Sequence, residues 1–139
     1  VVIFMNIKLI QIKKIINKNG LISVIETNSK TCPFDIKRIF NVYASKGDIR
    51  GDHAHKTCIQ MLICTSGKVE INCIDGNKKS TFVLDNPFKA LLLKPMVWAK
   101  QKYLANKSIL TVICNQMYDE KDYIRNFEEY ITLKKEIKI

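Results

Sequence analysis

Apolar and polar residues alternate with a period of two through much of the chain, and turn residues cut the alternation into short pieces. That is the pattern of an all-β sandwich or barrel. The clearest piece is KVEINCIDGNKKSTFVL, residues 68–84. Val69, Ile71 and Cys73 alternate with Glu70 and Asn72, Asp75-Gly76 supplies a turn, and residues 81–84 return as the partner strand. Further strands are expected over 38–44, 59–65, 90–93 and 109–115, with Ser66-Gly67, Asn86-Pro87 and Lys94-Pro95 as punctuation. The apolar opening VVIFMNIKLIQI fits an edge strand that something must cover.

The tail follows another period. In DEKDYIRNFEEYITLKK, residues 119–135, Tyr123, Phe127, Tyr130 and Ile131 recur at helical spacing with charges between them. This predicts an amphipathic helix from Asp119 onward, packed on the sheet with its aromatic stripe in the core. The 139 residues suit one domain, 1–139, that buries roughly two-thirds of its unfolded surface. There is no internal repeat, low-complexity segment or linker.

No run of 18 apolar residues occurs, so no membrane-spanning helix is expected. The opening VVIFM has no basic segment before it, and Asn6 and Lys8 break it, which makes a poor secretory signal. A cytoplasmic protein is expected, with Met5 as a candidate start. The five cysteines (Cys32, Cys58, Cys64, Cys73, Cys114) are odd in number, far apart and mostly inside apolar runs. They read as small buried hydrophobes, with no disulfide framework and no CxxC metal knuckle.

Charge adds one constraint. The net charge of +10 suggests a polyanion partner, but 20 of the 23 basic residues are lysines scattered as singles and pairs. Phosphate and base recognition leans on clustered Arg. No nucleic-acid role is expected, and a positive field that draws in an anionic small molecule is the more economical reading.

The chemistry sits in RGDHAHKTCIQ, residues 50–60, which holds both histidines. Residues two apart on a strand share a face, so His53 and His55 present both imidazoles to one side of the sheet. Arg50, Lys56 and Gln60 are expected near the same mouth. Trp98 is either a wall of the pocket or a buried core residue. Two imidazoles without a carboxylate make a weak site for a catalytic divalent ion, so neither a metal nor another cofactor is expected.

From Gly47 to Gly67 the spacing resembles the first cupin motif, G-x5-H-x-H-x(3,4)-E-x6-G, with Gln60 in place of the glutamate. The resemblance extends through PFDIKRIF (33–40), RGDHAHK (50–56), LICTSGKVEI (62–71), PMVW (95–98) and YDEKDYIRNFEEY (118–130). In that order and spacing these are similar to the dTDP-4-keto-6-deoxyglucose 3,4-ketoisomerases, the WxcM-like sugar ketoisomerases of the cupin superfamily. The resemblance implies a single cupin (jelly-roll) barrel with a C-terminal helix, and a homodimer that often exchanges N-terminal strands. It also implies a dTDP-linked 4-keto-6-deoxy sugar as substrate, isomerised to the 3-keto sugar that an aminotransferase uses for surface-polysaccharide synthesis.

By the same resemblance His53 is the main acid–base residue, and His55 its partner in proton transfer or the orienter of the sugar. Enediolate charge would be met by Arg50, Gln60 or a backbone amide. The chain departs from the family pattern at three places. Phe40 and Asn41 stand where tyrosines are common, Asn19 where Arg or Tyr precedes the N-terminal glycine, and Ala99 where His or Arg follows the tryptophan. The last two lie near the pocket in the family and bear on which face of C4 is protonated, so the product is left open between the galacto and gluco isomers. Two other readings stay open: a 3,5-epimerase-like cupin acting on the same substrate class, and a non-catalytic sugar-binding cupin.

Overall fold

The computed structural model describes residues 6–137, so the candidate start at Met5 and the first part of the opening apolar run lie outside it. The strands are β1 (Ile7–Gln11), β2 (Lys13–Asn17), β3 (Gly20–Val24), β4 (Arg38–Ala44), β5 (Ile49–His55) and β6 (Gln60–Ser66). They continue as β7 (Val69–Asp75), β8 (Lys78–Leu84), β9 (Lys89–Leu93), β10 (Trp98–Tyr103), β11 (Ser108–Cys114) and β12 (Tyr123–Ile124), and helix α1 (Phe127–Glu136) ends the chain.

Two five-stranded antiparallel sheets form the jelly roll. One runs β1-β9-β6-β11-β4 and the other β12-β5-β10-β7-β8, without hydrogen bonds that close them into a barrel among the described residues. The expected strands are all present, and the opening segment is an edge strand, β1, paired with β9. Between the sheets lies a core that includes Leu62, Val69, Ile71, Leu84, Leu91 and Leu110, each at most 1% exposed. Burial of each such side chain contributes roughly 1.5–3 kcal/mol.

Strand β6 is apolar on both faces because both are covered. Leu62 and Cys64 point between the sheets, whereas Met61 and Ile63 meet an outer layer of Ile10, Ile12, Cys32 and Phe34. The turn into β7 needs a glycine. Gly67 has φ +81°, and a Cβ there would fall on Ser108, with that residue's Cα only 2.7 Å away.

The tail corrects the expected helix. Residues 119–126 form a 3-10 turn (Glu120–Asp122) and β12, and α1 starts only at Phe127. The Asn126 side chain caps α1 by accepting from the Glu129 N–H at 2.8 Å. Ahead of that cap, Tyr123 and Ile124 pair with His55 and Ala54 of β5. Sheet pairing therefore overrides a helical spacing that Tyr123 matched by coincidence. Tyr130 is the buried anchor of α1. Its hydroxyl lies 2.9 Å from the Ile74 carbonyl and 3.0 Å from that of Met96, and it accepts from the Gly76 N–H at 3.0 Å.

Besides β12, three strands went unforeseen: β2, β3 and β10. Among the described residues the hairpin β2-β3 pairs only with itself, and Ile15, Ile16, Leu21 and Ile22 remain 39–71% exposed. Strand β10 carries polar residues on both phases, which hides its alternation.

Candidate active site

Strand β5 bends just before the histidines. Gly51 (φ +78°) and Asp52 (φ +64°) sit in the left-handed region, and the pairing of β5 with β10 slips between Ala99 and Lys100. Such a bulge re-aims the residues that follow it. The Trp98 indole N–H donates to Asp52 Oδ1 at 3.0 Å and holds the bend.

Beyond the bend, His53 and His55 face the space between the sheets with ring centroids 5.0 Å apart, nearly perpendicular. Tyr123 of β12 packs over both rings, at 4.9 and 4.4 Å. Arg125 lies 4.3 Å above the Tyr123 ring and is held by a bidentate pair with Glu120 at 2.9 and 3.0 Å. The cavity beneath the imidazoles is lined by Cys58, Gln60, Leu93, Lys94, Ala99 and Gln101, among others.

Asp122 anchors the pair. Its Oδ2 lies 2.9 Å from His55 Nδ1, and its Oδ1 accepts from the Thr57 N–H at 2.7 Å and the Thr57 hydroxyl at 2.8 Å. The Lys56 N–H donates to the Asp122 carbonyl at 2.9 Å, which fixes the backbone as well. Burial pushes the Asp122 carboxyl up, but the Thr57 and His55 hydrogen bonds outweigh it and hold the group below its usual range. An ionised Asp122 places the His55 proton on Nδ1 and leaves Nε2 bare.

Both imidazoles are kept neutral. Burial, with the neighbouring His55 next, lowers His53 from 6.5 to about 4. Burial also lowers His55, with Asp122 opposing the shift. His53 Nδ1 and His55 Nε2 are buried and have no hydrogen-bond partner among the described residues. Two neutral imidazoles with unpartnered nitrogens in one cavity form a device for moving protons.

Cys114 of β11, the strand partner of Gln60, accepts from Arg38 Nη2 at 3.5 Å and Gln60 Nε2 at 3.6 Å. The Cys58 thiol beside it, then Arg38 and Gln60, pull Cys114 down, while Cys114 pushes Cys58 up. Cys32, Cys64 and Cys73 are plain buried hydrophobes, as all five were expected to be.

Of the expected site residues, His53, His55, Gln60 and Ala99 come together in the cavity. The others stand elsewhere. Trp98 points away, because Ala99 faces inward and strand neighbours alternate; its ring packs 5.1 Å from Phe127 and 5.6 Å from Tyr130, under α1. Phe40 packs beside the inner core with Arg38 5.0 Å over its ring, outside the cavity lining. Arg50 and Lys56 are exposed at positions that do not line the cavity. Asn19 sits exposed at the tip of the β2-β3 hairpin, with its N–H bonded to Asn17 Oδ1 at 3.0 Å.

Asp122, Thr57, Tyr123, Arg38, Cys58 and Cys114 were not anticipated as a group. The signal for Asp122 and Tyr123 was the YDEKDYIR segment, which carried the family resemblance but had been assigned to helix.

The chain is similar to known proteins over most of its length. A family model described as FdtA: WxcM-like, C-terminal, matches residues 5–135. The chain is 39% identical over 128 residues to a TDP-4-oxo-6-deoxy-alpha-D-glucose-3,4-oxoisomerase of Aneurinibacillus thermoaerophilus, covering 89% of this chain and 91% of that protein. Among solved structures it resembles the 3,4-ketoisomerase QdtA of Thermoanaerobacterium thermosaccharolyticum, a histidine-to-asparagine variant in complex with TDP-4-keto-6-deoxyglucose. The TM-score is 0.92 at 34% identity, over 97% of this chain and 98% of that one. It also resembles WlaRA, a TDP-fucose-3,4-ketoisomerase of Campylobacter jejuni, with a TM-score of 0.88 at 36% identity, over 96% and 98% of the two chains.

The burial of His53 has a consequence for stability. Its folded value, about 4, lies below the ordinary 6.5, so acid protonates the unfolded chain first. This contribution is fully present above about pH 6.5 and is lost as pH falls toward 4. Urea unfolding at pH 7.5 and pH 5 is expected to show a drop that is smaller by about 1–2 kcal/mol in His53→Asn than in wild type. Equal drops in both proteins contradict the neutral, buried His53.

Proposed function

The chain belongs to the FdtA: WxcM-like, C-terminal family, and on that premise we propose that it is a dTDP-4-keto-6-deoxyglucose 3,4-ketoisomerase. The observation that carries the reading to its residues is the pair of neutral imidazoles with unpartnered nitrogens on one cavity. The named relatives are 3,4-ketoisomerases or an oxoisomerase of TDP-linked deoxy sugars. The 3,5-epimerase and sugar-binding readings have no comparable support.

The reaction moves protons and leaves the heavy-atom skeleton intact. The C3 proton leaves to a neutral imidazole, the C4 oxygen gains a proton, and an enediol forms. A proton then reaches C4 while the hydroxyl at C3 loses its own and becomes the ketone. His53 is the group that takes the C3 proton. His55 is the second transfer group, because Asp122 fixes its tautomer and stabilises the imidazolium that it forms on accepting a proton. Gln60 remains a donor toward the enediolate through the N–H not directed at Cys114. Lys94, at the cavity wall, is a cation for the developing charge or the pyrophosphate. The substrate is an anion and the chain carries a net charge of +10, so long-range attraction favours encounter. The reading takes residues 1–139 as one cytoplasmic domain, with the 3-keto product passing to an aminotransferase for surface-polysaccharide synthesis.

The protein acts as a homodimer in this reading. A two-stranded hairpin is marginal in water by itself, and β2-β3 exposes Ile16, Leu21 and Ile22 at 71%, 54% and 47%. A second copy is the partner that covers them, which brings Asn19 at the hairpin tip against another subunit. Ile16→Asp with Leu21→Asp is expected to shift the sedimentation coefficient from dimer to monomer. A wild-type protein that sediments as a monomer contradicts the proposal.

Proton NMR in D2O with dTDP-4-keto-6-deoxyglucose tests the activity. The expected result is a 3-keto product with deuterium at C4, unaffected by chelator, and its C4 configuration identifies the galacto or gluco series. His53→Asn is expected to abolish conversion. Asp122→Asn is expected to lower kcat on the order of 10²–10⁴-fold with little change in KM. Unchanged substrate, or deuterium entering at C5, overturns the assignment.

A further inference from the structure

Two glutamine amides line the cavity from facing sheets, and only one of them has a task in the proton transfer. Gln60 is on β6, and Gln101 is on β10, in the sheet that carries the histidines. Ala99 is the strand partner of His53, and Gln101, two residues on, is the next side chain of β10 to line the cavity. A long side chain at that diagonal position reaches the space beside His53.

The Gln101 amide is held in one orientation. The Tyr103 hydroxyl donates to Gln101 Oε1 at 2.7 Å and has no other partner among the described residues. The reverse arrangement, with Nε2 toward the tyrosine, would leave the hydroxyl hydrogen without an acceptor. Burial also pushes Tyr103 above its ordinary range, so the hydroxyl stays protonated and stays a donor. Tyr103 itself is fixed. It is 1% exposed within the inner core, its N–H donates to the Asp48 carbonyl at 2.9 Å, and its carbonyl accepts from the Gly47 N–H at 2.8 Å.

With Oε1 taken, Nε2 is the free end. The bond to Tyr103 is the only one the Gln101 side chain makes among the described residues. Nε2 lies beside the bend that precedes the histidines, where a Cβ on Gly51 would come within 3.3 Å of it. The glycine therefore leaves room for this amide as well as bending β5. A neutral donor suits the place, because a cation there would lower the imidazoles further.

We propose that Gln101 is a catalytic residue that donates an Nε2 hydrogen to one oxygen of the enediolate, opposite Gln60, and that Tyr103 is its positioning residue. An enediolate spreads its charge over oxygens on two adjacent carbons, so one donor from each sheet meets both. A donor already fixed by Tyr103 needs no reorganisation when the charge develops. The proposal rests on the ketoisomerase reading.

Gln101→Met keeps the bulk and removes the donor. It is expected to lower kcat on the order of 10²-fold with KM near the wild-type value, as loss of one oxyanion donor does. Tyr103→Phe is expected to give part of the same loss and to add nothing in a Gln101→Met background, whereas general damage to the core adds independently. Undiminished turnover in Gln101→Met overturns the catalytic role, and additive losses overturn the positioning role.

The Gln101 side-chain amide in nitrogen-15 NMR, assigned by its absence in Gln101→Met, gives a reading that does not depend on turnover. In the His53→Asn protein, which leaves the sugar unconverted, saturation with dTDP-4-keto-6-deoxyglucose is expected to shift that signal. An unmoved signal overturns the contact. A shifted signal in a chain whose wild type never converts the sugar upholds the contact and removes the ketoisomerase reading instead.

Discussion

The hydrogen bond between His55 Nδ1 and Asp122 Oδ2, at 2.9 Å, joins residues 67 positions apart and sets the state of the whole site. A buried carboxylate is costly unless its lone pairs are used. Here they are met by Thr57, through backbone and hydroxyl, and by His55. The same contact brings β12 onto β5 and places Tyr123 over both imidazoles. The tail is therefore part of the candidate site. Helix α1, pinned through Tyr130 to the Ile74 and Met96 carbonyls, keeps the tail in place from the far side.

Burial does the rest of the tuning. A solvated imidazole is partly protonated near neutrality and then has no lone pair to offer a C–H bond. Between the sheets both rings are neutral, and the bend at Gly51-Asp52 aims them at one cavity. Trp98 contributes from outside, where its indole holds Asp52 in the bend. Of the two readings of Trp98, pocket wall or buried core residue, the second holds, and the residue braces the bend from behind.

Much of the sheet structure was legible because β7 and β11 bury alternate residues or long apolar runs, and because Ser66-Gly67, Asn86-Pro87 and Lys94-Pro95 break the chain where the strands end. The histidine pair was legible for the same reason, since period two forces both rings to one face. Long-range pairing was not. Nothing local marks Asp122 as the partner of His55, and Tyr123 fits a helical spacing until its pairing with His55 is known. The β2-β3 hairpin escaped notice because its apolar residues join none of the core clusters among the described residues. Trp98 and Ala99 show how one residue of strand phase exchanges a cavity residue for a bracing one.

The protonation state of the histidine pair is the claim on which the chemistry depends, and nitrogen-15 NMR of the imidazoles in the resting protein at pH 7 reads it directly. The expected spectrum shows two neutral rings, with His55 protonated at Nδ1 and bare at Nε2, and with that tautomer preference lost in Asp122→Asn. An imidazolium at His55, or a neutral ring carrying its proton on Nε2, contradicts the role given to Asp122.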